Sequence, residues 1–198
     1  KETRGDAEQL AHNLGIRFKT LPIEEQFEAC LKTFATDPEL AAAPEGVADQ
    51  NIQARLRMLD LMYYANKTNG LVLNTGNKTE VALDNCTIYG DMVGGFSVLG
   101  DVDKDRVFAL ASYINQRAQR EVIPVTTIER VPSAELKPNQ KDEEVMGADP
   151  SRIAPMVRTI VENQLCLSEA LEKFSGEFGE SLVRRTLQRI DRSEWKRR

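Results

Sequence analysis

A chain of 198 residues with 41% hydrophobic content lies within single-domain size and can bury one sizeable core, so one domain over residues 1–198 is expected. The formal charge of −5, with positive charge gathered only in Arg192 and Lys196-Arg-Arg198, excludes a general nucleic-acid binder. No apolar run approaches a membrane span, and Cys30, Cys86 and Cys166 stand far apart, odd in number and in no metal-ligand spacing, which excludes a disulfide framework or zinc site and fits a cytoplasmic setting.

Residues 6–15 place Ala7, Leu10, Ala11 and Leu14 at helical spacing, with Gly15 as a stop. They include the single histidine, His12, so neither a histidine triad nor a histidine metal cluster can be built. Residues 16–23 alternate apolar and polar side chains and predict a strand that Pro22 ends. Phe27, Cys30, Leu31 and Phe34 then predict a helix over 24–34. Thr36 to Val47 reads as a surface connection holding a helical turn. A long helix over 51–66 follows, with Ile52, Leu56, Leu59 and Tyr63 on one stripe and further apolar residues around much of the cylinder. Such a helix is expected to be buried on two sides: either it lies under the sheet or one side meets a second subunit, and the second is preferred. Asn51 and Arg55 share its polar edge.

The chain is organised around Leu71-Val-Leu-Asn-Thr-Gly-Asn-Lys-Thr-Glu80. Leu71 to Leu73 read as a buried parallel strand, Asn74 to Asn77 as turn and cap, and a helix opens near Lys78 and runs to Asn85. Strand, turn and helix start together set a hydroxyl, backbone N–H groups and a carboxylate at the edge where open α/β folds bind ligands. By spacing alone this is also an ordinary strand-to-helix connection. Residues 86–100 are glycine-rich and permit close backbone approach to a ligand. A helix starts at Asp103 or Asp105, residues 124–150 form a long binding-type loop, and three helices close the chain over 151–163, 168–174 and 180–191.

Taken in order, Asn51-Ile-Gln-Ala-Arg55, the Thr75 to Glu80 stretch, Tyr89-Gly-Asp91, Asp101-Val-Asp-Lys104, Pro132-Ser-Ala-Glu-Leu136 and Trp195-Lys-Arg-Arg198 resemble the ATP-dependent amide-forming domain of NAD synthetases, most like the glutamine-dependent bacterial type. The resemblance implies a three-layer α/β sandwich of the adenine nucleotide alpha hydrolase type, with a parallel sheet flanked by helices. It implies amidation of nicotinic acid adenine dinucleotide to NAD through an adenylated intermediate, with ATP and Mg2+, ammonia, free or from glutamine, as nitrogen donor, and AMP and pyrophosphate released. Such chemistry asks for charge stabilisation on phosphates and no protein nucleophile.

Carried over by motif, the resemblance implies ATP contacts from Thr75, Lys104 and Ser133. It implies dinucleotide contacts from Asn51, Arg55, Glu80, Asp91 and Lys196, with Glu80 also a magnesium ligand. Read from local chemistry alone, Glu80 is a first-turn glutamate favoured by the helix dipole and Asp91 a turn aspartate. Lys104 sits at a helix start, where the dipole disfavours it, so a phosphate partner is expected there. The 198 residues contain no Ser-Gly-Gly-x-Asp-Ser phosphate loop, and Val145-Met-Gly-Ala-Asp-Pro150 departs from the Leu-Pro-Pro-Tyr of many glutamine-dependent members. Little turnover is therefore expected of this segment by itself. The resemblance further implies a homodimer or larger homo-oligomer, through the 51–66 helix and the closing helices, and an N-terminal glutaminase domain in the full-length protein. Alternatives are another ATP pyrophosphatase adenylating a different acceptor, or a catalytically incomplete nucleotide-binding dimerisation fragment.

Overall fold

The apolar stripes of the last third of the chain decide where the core sits. In the computed structural model, which describes residues 2–131, 133, 136 and 147–196, α8 (Pro150–Asn163), α9 (Leu167–Phe178) and α10 (Glu180–Ser193) close on one another. Asp149 caps α8 through its carboxylate and the Ser151 N–H at 2.8 Å, and Pro150 fills the first helical position, where no amide hydrogen is needed. Ile153, Met156, Val157 and Ile160 then form a buried stripe, met by Ala170 and Phe174 of α9 and Val183 and Ile190 of α10. Each such Val or Ile contributes about 1.5–3 kcal/mol by leaving water, so these helices carry much of the stability.

The earlier helices are α1 (Glu2–Leu14), α2 (Glu24–Phe34), α3 (Pro38–Ala42), α4 (Val47–Thr68), α5 (Lys78–Ala82), α6 (Lys104–Ala118) and α7 (Val125–Glu129). The α2 boundaries coincide with those read from the Phe27, Cys30, Leu31 and Phe34 stripe. Ala82 and Leu83 at the end of α5 enter the same core, where the Ser193 hydroxyl donates to the Ala82 carbonyl at 2.7 Å. That bond brings the chain end, the 3-10 turn Glu194–Lys196, beneath α5. Long α4 buries Ala54, Leu56 and Ala65 but leaves Leu59, Leu61 and Tyr63 at least half exposed.

The sheet is parallel and small. β1 (Leu73–Asn74) pairs with β2 (Phe96–Ser97), Leu73 opposite Phe96 and Asn74 opposite Ser97. Gly94 enters β2 with φ +148°, and a Cβ there would stand 2.6 Å from the Asn74 nitrogen, so only glycine lets the strands meet. The glycine-rich passage thus approaches the protein's own backbone at this point.

Several expectations are corrected. The organising strand is displaced to Leu73–Asn74, and Leu71 and Leu73 are 69% and 52% exposed; among the described residues β1 has one neighbouring strand. Residues 16–23 form no regular element and pair with no strand among the described residues, and Ile16 and Leu21 are exposed, because alternation makes a strand only where a sheet edge receives it. The α5 helix stops at Ala82 instead of running to residue 85. Asp84 takes φ 60°, a left-handed conformation that ends the helix. Most of the stretch 132–146, with Asp142-Glu-Glu and Val145-Met, lies outside the described residues.

Candidate functional site

The turn after β1 is built by its own side chains. Asn74 Oδ1 accepts from the Gly76 N–H at 2.7 Å, and Asn77 caps α5 reciprocally: its Oδ1 accepts from the Glu80 N–H, and Glu80 Oε2 accepts from the Asn77 N–H, both at 3.0 Å. The buried Thr79 hydroxyl accepts from the Lys104 N–H at 3.1 Å, and the Lys78 N–H donates to the Val102 carbonyl. These bonds tie the start of α6 to the start of α5. As a result Lys104 Nζ stands 2.7 Å from Glu80 Oε1, with about four-fifths of each side chain covered.

This meeting brings together two of the expected site residues. Lys104 is satisfied at its helix start by Glu80, with the Phe108 ring 5.7 Å from its Nζ. Asp103, immediately before it, is 1% exposed and holds Arg158 Nη1 of α8 at 2.7 Å, fixing where α6 begins. Among the described residues no three His, Cys, Asp or Glu side chains cluster to hold a metal ion. One carboxylate, Glu80, does fit magnesium that arrives on phosphates, since that ion commonly takes one or two protein carboxylates and completes its shell with waters and phosphate oxygens.

A second grouping surrounds the loop over residues 84–91. Lys196 Nζ lies 2.5 Å from Asp84 Oδ1 and donates to the Cys86 carbonyl at 2.7 Å. The Thr87 hydroxyl donates to Asn51 Oδ1 at 2.8 Å, and the Thr87 N–H donates to Asp91 Oδ1 at 2.6 Å. Arg55 Nε donates to the Ile88 carbonyl at 3.3 Å. Asn51, Arg55, Asp91 and Lys196, drawn from α4, the loop and the chain end, therefore touch one short loop. Gly90 lets it seat on α4, because a Cβ there would lie 2.9 Å from Ala54 Cβ.

Burial pushes the Cys86 thiol up to about 11, against the opposing pull of Lys196. Asp91 has an open side, yet packing strips enough water from its carboxyl to raise its pKa, an effect the Thr87 amide partly opposes.

Thr75 is exposed at the turn. Ser133 is half-buried, described without its neighbours Pro132, Ala134 and Glu135, and the Gln53 amide of α4 donates to the nearby Leu136 carbonyl at 3.0 Å. Sequence reasoning missed Asp84 and Thr87. No spacing signals Thr87, two residues before Tyr89-Gly-Asp91, whereas Asp103 was readable as a cap before the α6 stripe.

No helix among the described residues is long and apolar enough to cross a membrane. Residues 1–198 match the NAD synthase family. The chain is 40% identical over 193 residues to a glutamine-dependent NAD(+) synthetase of Acinetobacter baylyi, covering 98% of this chain and 35% of that protein. Among solved structures it resembles a glutamine-dependent NAD+ synthetase of Acinetobacter baumannii in complex with ADP, at TM-score 0.61 and 33% identity over 98% of this chain and 33% of that one. It also resembles an NMN synthetase of Francisella tularensis, at TM-score 0.75 and 27% identity over 100% of this chain and 71% of that one. The fold is that of the adenine nucleotide alpha hydrolase type, and the chain spans about a third of the length of the curated relatives it matches. The chain belongs to the NAD synthase family.

Proposed function

We propose that this chain is the synthetase portion of a cytoplasmic enzyme that amidates nicotinic acid adenine dinucleotide to NAD at the expense of ATP. The observation that carries the reading is the convergence of Asn51, Arg55, Asp91 and Lys196 on residues 84–91, beside a separate Glu80–Lys104 pair at the β1 to α5 edge. The first group offers an amide and two cations to an anionic substrate, and the second offers a cation to phosphates.

In the proposed reaction a nicotinate carboxylate oxygen attacks the α-phosphorus of ATP, and the bond to pyrophosphate breaks. Ammonia then attacks the acyl carbon, the bond to AMP breaks, and the nitrogen loses a proton to give the amide. Lys104 turns from Glu80 to the departing phosphates, with Thr75 and Ser133 contacting the nucleotide, while Arg55, Asn51 and Lys196 hold the dinucleotide. Magnesium, held in part by Glu80, would neutralise charge on the pyrophosphate when bound. The ammonia is supplied by a glutaminase domain of the whole protein. The exposed Leu59, Leu61 and Tyr63 of α4 support a homodimer or larger homo-oligomer through that helix.

The 198 residues, holding no Ser-Gly-Gly-x-Asp-Ser segment, bind substrate with little turnover by themselves. The test is the whole protein supplied with nicotinic acid adenine dinucleotide, ATP, magnesium and ammonium. NAD, AMP and pyrophosphate should appear in equal amounts, and nicotinic acid mononucleotide should be amidated far more slowly. Preference for the mononucleotide, or no NAD at all, would overturn the reading and favour another adenylated acceptor.

A further inference from the structure

Thr87 is 7% exposed and bonds two of the residues proposed to contact the dinucleotide, one through its hydroxyl and one through its backbone amide. Its hydroxyl gives its hydrogen to Asn51 Oδ1, and its amide gives its own to Asp91 Oδ1. An Asn amide is an acceptor at one end and a two-hydrogen donor at the other, so a bond that fixes the oxygen inward turns the NH2 outward. Beside it stand Arg55 and Lys196, which are donors only. The edge therefore presents donors to whatever lies on it, with Asp91 held back by the backbone.

We propose that Thr87 is a positioning residue for substrate recognition: it locks the Asn51 amide with its donor end toward the dinucleotide, so that this edge selects phosphate, carboxylate or carbonyl oxygens. Without the hydroxyl, the amide is free to flip and offer its oxygen to an anionic ligand. The local framework makes this a lock and not a loose contact, because Gly90 seats the loop on Ala54 of α4, the helix that carries Asn51. The inference rests on the proposed use of Asn51 in dinucleotide binding.

The experiment is calorimetric binding of nicotinic acid adenine dinucleotide, together with steady-state kinetics of the whole protein, for wild type, Thr87→Val, Thr87→Ser, Asn51→Ala and Thr87→Val/Asn51→Ala. Thr87→Val should weaken dinucleotide binding and raise its KM by about tenfold, the scale of one hydrogen bond to a charged group. The KM for ATP and kcat should stay close to wild type, Thr87→Ser should restore binding, and the double variant should bind no more weakly than Asn51→Ala alone. A merely structural threonine would shift both KM values and kcat together, and that result, like an unchanged dinucleotide KM, overturns the inference. Should Thr87→Val fail to fold, Asn51→Asp tests the same geometry. It keeps the bond from Thr87 but turns an oxygen outward, so binding must fall at least as far, and unchanged binding overturns the inference. Wild type that binds no dinucleotide at all refutes the proposed function itself, and the inference falls with it.

Discussion

Lys104 Nζ rests 2.7 Å from Glu80 Oε1, so the side chain proposed to meet ATP phosphates and the one proposed to meet magnesium neutralise each other when neither ligand is bound. Both are about four-fifths covered, which keeps the pair aligned without placing it in a dry interior. In the proposed reaction nucleotide and metal would part the pair together, the phosphate taking the lysine and the ion taking the carboxylate. Glu80→Gln should let ATP bind up to about fivefold more tightly without magnesium, because a partly exposed ion pair is worth about 0.2–1 kcal/mol. The same variant should lose most of the magnesium dependence of binding. Calorimetry with and without magnesium checks both, and an unchanged magnesium dependence would detach Glu80 from the ion.

The Asp103–Arg158 pair is expected to hold α6 in register on α8. Asp103 is 1% exposed, so removing its partner leaves a buried carboxylate with, among the described residues, only Arg106, 3.8 Å away, to answer it. Arg158→Met should cost about 3 kcal/mol in urea unfolding, and adding Asp103→Asn should recover part of that loss. Strictly additive losses would mean the two do not act as a pair.

Gly90→Ala should be costly although the residue lies in a loop. The added methyl would meet Ala54 Cβ at 2.9 Å and Thr87 Cβ at 3.0 Å, and neither is the far end of a flexible side chain. A loss of about 1–3 kcal/mol is expected, with weaker dinucleotide binding because the loop is lifted from α4. Thermal unfolding and calorimetry would register it, and a variant as stable and as tight-binding as wild type would remove the seating argument.

Cys86 gives a pH signature. Burial raises its thiol from 9.0 to about 11, so folding favours the protonated form. That contribution is fully present below the unfolded value near 9 and is lost as pH rises through about 11. In a Cys30→Ser/Cys166→Ser background, thiolate absorbance should show a midpoint near 11 in the folded protein and an ordinary one in urea. A folded midpoint at the ordinary value would mean that Cys86 is not desolvated.

Legibility in the sequence followed the length of the pattern. The α2 stripe and the closing helices announce themselves through repeated apolar positions, and Asn51 and Arg55 were placed on one edge by helical spacing alone. Leu71 to Leu73 misled because three apolar residues cannot say whether a sheet will cover them, and residues 16–23 misled because alternation does not name a partner strand. At the site, motifs marked Glu80 and Lys104 separately but not their bond, which depends on how Thr79 and the Asp103–Arg158 pair fix two helix starts against each other. Thr87 left no trace, since a threonine's neighbour across 36 positions of chain is a matter of folding.

The central claim, that the nicotinate carboxylate is adenylated before ammonia attacks, is tested most directly by following its oxygen. Dinucleotide labelled with heavy oxygen in the carboxylate would be converted by the whole protein with ATP and ammonium, and the nucleotide products read by mass spectrometry. The account predicts AMP carrying one heavy oxygen and pyrophosphate carrying none. Heavy oxygen in inorganic phosphate, with ADP as the other product, would contradict it.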